Sequence, residues 1–268
     1  MAGGAGPGGP VLSLHMKASF DIDPDQTDDF AFAPDGKSYT TLVVTRRDDL
    51  GVREAVIRRV SAETGKTLDS PGSLSGAFRT VRLTADGKRL VHVHAQVANS
   101  VGIDTVPGRG PQSWSVVPEI EQVEGSGGDL LVPSRDGSRV LYGRGFSQLA
   151  VLDGVTGKAL PGLERVGLVD AAQTQAAFSA DGRLLAMSYR PVEKKEAARG
   201  KGNAVPPQTS VQPTEPRLGV WDTTTGRLIR SWNGHVTALA FHPTRPVLAV
   251  VEPNGAQTRL GLWDFTAE

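Results

Sequence analysis

Short apolar runs recur along the chain, and each follows the same polar turn. Phe32-Ala33-Pro34-Asp35-Gly36-Lys37, Leu83-Thr84-Ala85-Asp86-Gly87-Lys88, Ser134-Arg135-Asp136-Gly137-Ser138 and Phe178-Ser179-Ala180-Asp181-Gly182-Arg183 are its copies, and Phe241-His242-Pro243-Thr244-Arg245 is a version without Asp-Gly. Asp-Gly between apolar runs predicts a hairpin, because that turn needs positive φ at its central residues. The runs that follow are Tyr39 to Val44, Leu90 to His94, Val140 to Tyr142, Leu184 to Met187 and Val247 to Val251. Several are apolar at successive positions, as expected of strands buried on both faces.

A second landmark lies downstream of three of these runs. Trp221-Asp222-Thr223-Thr224-Thr225-Gly226 has counterparts in Leu152-Asp153-Gly154-Val155-Thr156-Gly157 and Val60-Ser61-Ala62-Glu63-Thr64-Gly65. Each Thr-Gly turn leads toward a further strand, such as Arg227 to Trp232. The chain thus reads as four-stranded units at about 29–70, 78–122, 128–166, 170–233 and 236–264. Repetition at roughly 40–50 residues points to a repeat architecture whose sheets bury their faces against one another.

The last unit ends at Trp263-Asp264 with no room for a fourth strand, while Val11 to Met16 is a spare strand before the first unit. Pairing the two would close a ring and remove an exposed edge. Residues 1–10 read as a flexible tail and 11–268 as a single domain. Two stretches break the pattern. Gly102 to Pro118 marks the third strand of the second unit poorly, and 192–216, basic and then rich in Pro, Gln, Ser and Thr, reads as an exposed disordered insertion.

Composition changes this picture little. The 29 Lys and Arg balance 29 Asp and Glu, so no basic excess points to nucleic acid. With no cysteine, disulfides, thiol catalysis and thiolate metal sites are excluded. No run approaches the ~18 apolar residues of a membrane span, and the first residues lack the pattern of a signal peptide. A cytoplasmic location is the expectation.

Candidate chemistry is sparse. His92 and His94 alternate on a strand and share a face, but no third ligand is identifiable for a metal. Asp21, Asp23, Asp25, Asp28 and Asp29 cluster without the glycine and late Glu of a calcium loop. His235 and His242 read as turn residues, since no Ser or Asp is placed to complete a triad. Lys194, Lys195, Arg199 and Lys201 make the insertion a candidate docking loop for a protein, because loops on rigid scaffolds carry recognition.

The Trp221-Asp222 and Trp263-Asp264 pairs, the Gly234-His235 pair and the Phe-Ser-x-Asp-Gly turns resemble the WD-repeat family of β-propellers, most clearly over 170–268. The resemblance implies an all-β fold of four-stranded antiparallel blades. It also implies a rigid platform for protein or peptide partners, without catalytic activity or cofactor. Trp221, Asp222, Gly234, His235, Trp263 and Asp264 become structural residues of the repeat. In that family Trp, Ser or Thr, His and Asp share a hydrogen-bond network. Here Val250 and Met187 stand at the Ser/Thr position and Asn254 at the Asp position, so these blades are expected to rely on packing. The combined expectation is a five-bladed propeller closed by the N-terminal strand, acting as a non-enzymatic scaffold and module of a larger bacterial protein. The alternative is a small-molecule-binding or hydrolytic propeller with a metal or carboxylate site at the channel mouth.

Overall fold

A computed structural model describes residues 27–33, 36–48, 51–95, 100–105, 115–116, 118–123, 128–196, 209–234, 236–254 and 257–265. Among them, strands dominate, and the helix content is one 3-10 turn at Ala171–Gln173. In the first unit β1 (Thr27–Phe32), β2 (Ser38–Asp48), β3 (Gly51–Ser61) and the first part of β4 (Thr67–Leu83) pair antiparallel in chain order. The expected break between residues 70 and 78 is absent. β4 runs along β3 as far as Phe78 and along its next partner from there on. Pro71 falls in a register shift of the β3–β4 ladder, where its missing N–H costs no ladder bond. Gly76, at φ +156°, sits under the Phe78 ring, which a Cβ would meet at 2.6 Å.

The second unit continues with β5 (Arg89–His94), β6 (Val101–Thr105) and β7 (Ser115–Val116). The poorly marked third strand is therefore β6, at the start of that stretch. Gly102 is the reason it was hidden: it lies against the buried His92 ring, which a Cβ would meet at 2.3 Å. After β8 (Gln122–Val123), the third unit comprises β9 (Asp129–Pro133), β10 (Arg139–Arg144) and, beyond β11 (Phe146–Ser147), β12 (Ala150–Asp153). Its expected fourth strand is reduced to one bridge, Leu152 to Ala159. β8, β11 and β13 (Val169–Asp170) make a small side sheet.

In the fourth unit β14 (Gln175–Phe178) and β15 (Leu184–Tyr189) lead into a ribbon of β16 (Val192–Glu196) and β17 (Thr209–Pro213), before β18 (Arg217–Asp222) and β19 (Leu228–Asn233). The insertion read as disordered thus begins and ends as paired strands. The physical reason is adjacency. Tyr189 and Arg217 are ladder partners, so the two ends of the insertion leave side by side and their backbones zip. The fifth unit has β20 (Ala238–Phe241), β21 (Val247–Asn254) and β22 (Gln257–Asp264). Val11 to Met16 lies outside the described residues.

The inner strands β1, β4, β9, β14 and β20 neighbour one another in that order. Apolar clusters lie between successive units. Val91, Val93, Val101 and Ile103 meet Leu131, Val140, Tyr142 and Leu152. Leu141 and Val151 meet Leu185, Met187 and Trp221. Ala186, Leu218 and Val220 meet Leu248 and Val250. Alternate residues of one strand feed opposite clusters: Val140 and Tyr142 face the second unit, Leu141 the fourth. This explains the runs that are apolar at successive positions, since each sheet is covered on both faces. Each buried Leu or Val contributes roughly 1.5–3 kcal/mol. The arrangement of strands, with cores between consecutive sheets, is that of a β-propeller.

Candidate functional site at the axis

The polar turns organise one end of the fold. Thr84, Ser134 and Ser179 are buried and act identically. Each hydroxyl donates to the Asp two residues on, at 2.6, 3.0 and 2.6 Å, and accepts the backbone N–H of the residue that opens the next strand, at 3.1, 2.9 and 2.9 Å. The Asp carboxylates accept a second bond, from the backbone N–H of Lys88, Ser138 and Arg183. Burial alone would raise the Asp136 and Asp181 carboxyls, but these bonds outweigh it and hold both below the usual carboxylate value. Gly87, Gly137 and Gly182 take φ +68°, +69° and +70°, and each packs on the preceding unit. At Gly137 a Cβ would meet Thr84 at 2.9 Å.

The Thr-Gly turns stand at the same end. The Asp153 carboxylate accepts from the N–H groups of Val155 and Thr156 and from the Thr156 hydroxyl, and Asp222 repeats the pattern with Thr224 and Thr225. Burial would raise the Asp153 carboxyl, yet the Thr156 bonds prevail and lower it.

Within this ring of turns lies an axial cavity of about 520 Å³. Every unit contributes: Phe32 and Ala33 from the first, Ala85 from the second, Val132, Pro133 and Arg135 from the third, Ala176 to Phe178 with Ala180 from the fourth, and Ala240 to Pro243 from the fifth. Its walls are chiefly apolar. The Arg135 Nη1 donates to the Pro243 carbonyl at 2.8 Å, joining the turns of the third and fifth units. The Arg135 carbonyl accepts the Asp86 N–H at 3.1 Å. His242 takes the place of the Ser/Thr hydroxyl: its Nδ1 accepts the Thr244 N–H at 3.2 Å, which fixes the proton of the neutral ring on Nε2.

Toward the other end, polar pairs tie the inner strands together. Arg79 Nε donates to Asp129 at 3.0 Å, with Arg144 at 4.0 Å from the same carboxylate, and Gln175 Nε2 donates to the Thr237 carbonyl at 3.0 Å. Burial, with the Asp129 charge second, pushes the neighbouring Tyr142 phenol up to about 12. The phenol is neutral at physiological pH.

The sequence-identified residues fall into distinct roles. Trp221 is fully buried and donates its indole N–H to the Glu164 carbonyl at 2.9 Å. Trp263 packs at a tilt on Trp232, ring centroids 4.8 Å apart, with the Arg230 guanidinium over both rings, and its buried indole N–H has no partner among the described residues. Met187 and Val250, at the Ser/Thr positions, are fully buried in apolar clusters. Asp222 caps its turn, Gly234 donates its N–H to the Pro216 carbonyl, and Asp264 is exposed at the end of β22. His235 lies outside the described residues, as do Arg199 and Lys201 of the docking loop. Lys194 is paired with Glu121, and Lys195 continues β16.

His92 and His94 do share a face, with rings 4.8 Å apart, but His92 Nε2 is bonded to Asp104 at 3.1 Å and its ring edges onto Phe78. Burial and the neighbouring His92 hold His94 below its usual value. No group of three or more metal-binding side chains occurs among the described residues. Asp29 donates no such chemistry either: its carboxylate accepts the Leu83 N–H at 2.8 Å. Sequence reasoning missed Arg135 and Phe32 as lining residues. Their positions beside the Asp-Gly turns were the available signal.

No family model matches the chain, and no curated protein matches it by sequence. Solved structures do. One is TolB from Acinetobacter baumannii, at 16% identity and a TM-score of 0.50 over 88% of this chain; the match spans 51% of the TolB chain, about half its length. Another is the Cps50 (Swd1) β-propeller domain of Myceliophteria thermophila, at 12% identity and a TM-score of 0.39, covering 90% of this chain and 84% of that one. The likeness to TolB supports the propeller fold. No helix among the described residues is long and apolar enough to cross a membrane.

Proposed function

We propose that this protein is a non-enzymatic propeller scaffold that presents its axial cavity and the turns around it to a polypeptide partner, as a WD-repeat-like module of a larger protein. The observation that carries this reading is the cavity itself: five units converge on one apolar-walled recess of about 520 Å³. Apolar recesses of this size with a few placed polar groups are the usual form of a binding site. The turn network makes the rim stiff, so little conformational entropy is lost on association. Arg135 and His242 are its ionisable side chains among the described lining residues. That set suits recognition better than the hydrolytic alternative, which requires carboxylates or a metal at the mouth. The ring is read as five blades closed by Val11 to Met16, and the insertion bearing Lys194, Lys195, Arg199 and Lys201 is a secondary contact surface.

The test compares wild type with Ala240→Leu, which adds bulk to an exposed cavity-lining position outside the core. Both proteins are immobilised and the proteins each retains are quantified by mass spectrometry. Partners retained by wild type and lost by a variant of unchanged melting midpoint support the reading. Identical retention by the two proteins sinks it.

A further inference from the structure

The axial cavity has a sign as well as a size. Phe32, Phe178, Phe241, Val132, Pro133 and Pro243 give it apolar walls. The two ionisable side chains among its described lining residues are both donors. Arg135 gives one N–H to the Pro243 carbonyl, and a guanidinium carries five donors and no acceptor. The remaining donors of Arg135 have no partner among the described residues. His242, with Nδ1 occupied as an acceptor, has Nε2–H left to give. No carboxylate is among the described lining residues. Asp86, Asp136 and Asp181 stand on the surrounding turns, but each carboxylate is bonded to its own Ser or Thr hydroxyl and to a backbone N–H. Each is also followed within three positions by Lys88, Arg139 or Arg183, and Arg245 adds a further cation.

The matching ligand is an acceptor-bearing anion on an apolar body. A planar carboxylate fits the fork of a guanidinium better than a point charge would. Three Phe side chains suit an aromatic or branched aliphatic group beside it. We propose that the cavity binds the free C-terminus of a partner polypeptide, its last, apolar side chain among Phe32, Phe178 and Phe241 and its α-carboxylate on Arg135. This rests on the reading of the cavity as a polypeptide site. The polypeptide source is favoured over a small carboxylate because the cavity is ringed by turns from several units, which give the preceding residues a surface to lie on.

The experiment is fluorescence polarisation with N-terminally labelled pentapeptides ending in Phe, Leu, Ile, Val or Met. Each is made as the free acid and as the C-terminal amide, with 3-phenylpropionate as a competitor. At least one free acid is expected to bind, with its amide ten-fold weaker or worse. Arg135→Gln should abolish that preference at an unchanged melting midpoint, and Arg135→Lys should keep part of it. Equal binding of acid and amide overturns the carboxylate assignment while leaving the polypeptide scaffold standing. So does failure of every free acid when Ala240→Leu still loses partners in the capture experiment. Saturation by 3-phenylpropionate with no peptide bound overturns it in favour of a small ligand.

Discussion

Trp221 and Trp263 occupy the same place in two successive repeats, yet their indole N–H groups meet different fates, and this difference can be measured. Both sit in a Leu-Gly-x-Trp-Asp segment, and both indoles fold back toward the glycine two residues earlier. Trp221 is fully buried and donates to the Glu164 carbonyl at 2.9 Å. Trp263 is half-buried, and its buried N–H has no acceptor among the described residues. Replacing Trp221 with Phe removes two carbons from a closed site, worth about 1.5–2 kcal/mol at ~0.8 kcal/mol per carbon. It also removes a hydrogen bond worth about 1 kcal/mol. The expected loss is therefore about 2–4 kcal/mol once the residual cavity is included. Trp263→Phe loses less apolar burial and recovers the penalty of an unsatisfied donor, about 1–3 kcal/mol. Its expected effect is within about 1 kcal/mol of zero. Urea titrations of both variants followed by far-ultraviolet circular dichroism give the two midpoints at a common slope. Equal destabilisation by the two substitutions would refute the reasoning. It would mean that the N–H of Trp263 is satisfied in solution, or that the Glu164 bond is worth nothing.

Three other outcomes follow from the turns and the edges. Ser179→Ala removes a buried hydroxyl that serves Asp181 and the Leu184 N–H, so a loss of about 1–3 kcal/mol is expected by urea titration, and an effect below 0.5 kcal/mol would show the turn to be self-sufficient. Stability should fall on acidification in two ranges. His94 is held below its usual value by burial and by His92, so its contribution is present above 6.5 and lost as pH drops through the folded value; the turn carboxyls of Asp136, Asp153 and Asp181 contribute above about 3.8 and lose that contribution below it. A flat midpoint between pH 7 and pH 3 would contradict both. Leu260 and Leu262 are exposed on β22, which pairs with β21 alone among the described strands. Removing residues 1–17 should then lower the melting midpoint of the whole domain in one transition, and unchanged melting would rule out ring closure by Val11 to Met16.

The periodic parts of this fold were legible because they depend on local chemistry. An Asp-Gly turn needs positive φ wherever it stands, and Gly87, Gly137 and Gly182 supply it. The Thr-Gly turns and the runs apolar at successive positions were read from the same kind of local cue. What escaped depends on neighbours distant in sequence. Pro71 and Gly72 look like a boundary, yet β4 passes through them because β3 and β5 hold its two halves. The insertion's ends look polar and loose, yet they pair because β15 and β18 deliver them side by side. The weight of Arg135 in the candidate site was invisible for the same reason. Nothing near it in the chain announces a carbonyl 108 residues away.

The distribution of polar bonds bears on how a cavity at the axis keeps its shape. Met187 and Val250 pack where hydroxyls of a WD-type network would be expected, so the middle of the fourth and fifth sheets is held by apolar contact, which is strong but not directional. Directional bonds are concentrated at the turn end instead. There the Ser or Thr hydroxyl, the Asp carboxylate and the strand-opening N–H form a closed set in three successive units. Each turn glycine packs on the unit before it, and Arg135 couples the third unit to the fifth. Sliding of one sheet on another is therefore resisted most at the rim of the cavity. A partner that binds there meets lining groups already fixed in place, and substitutions in the turns should weaken that binding before they unfold the sheets.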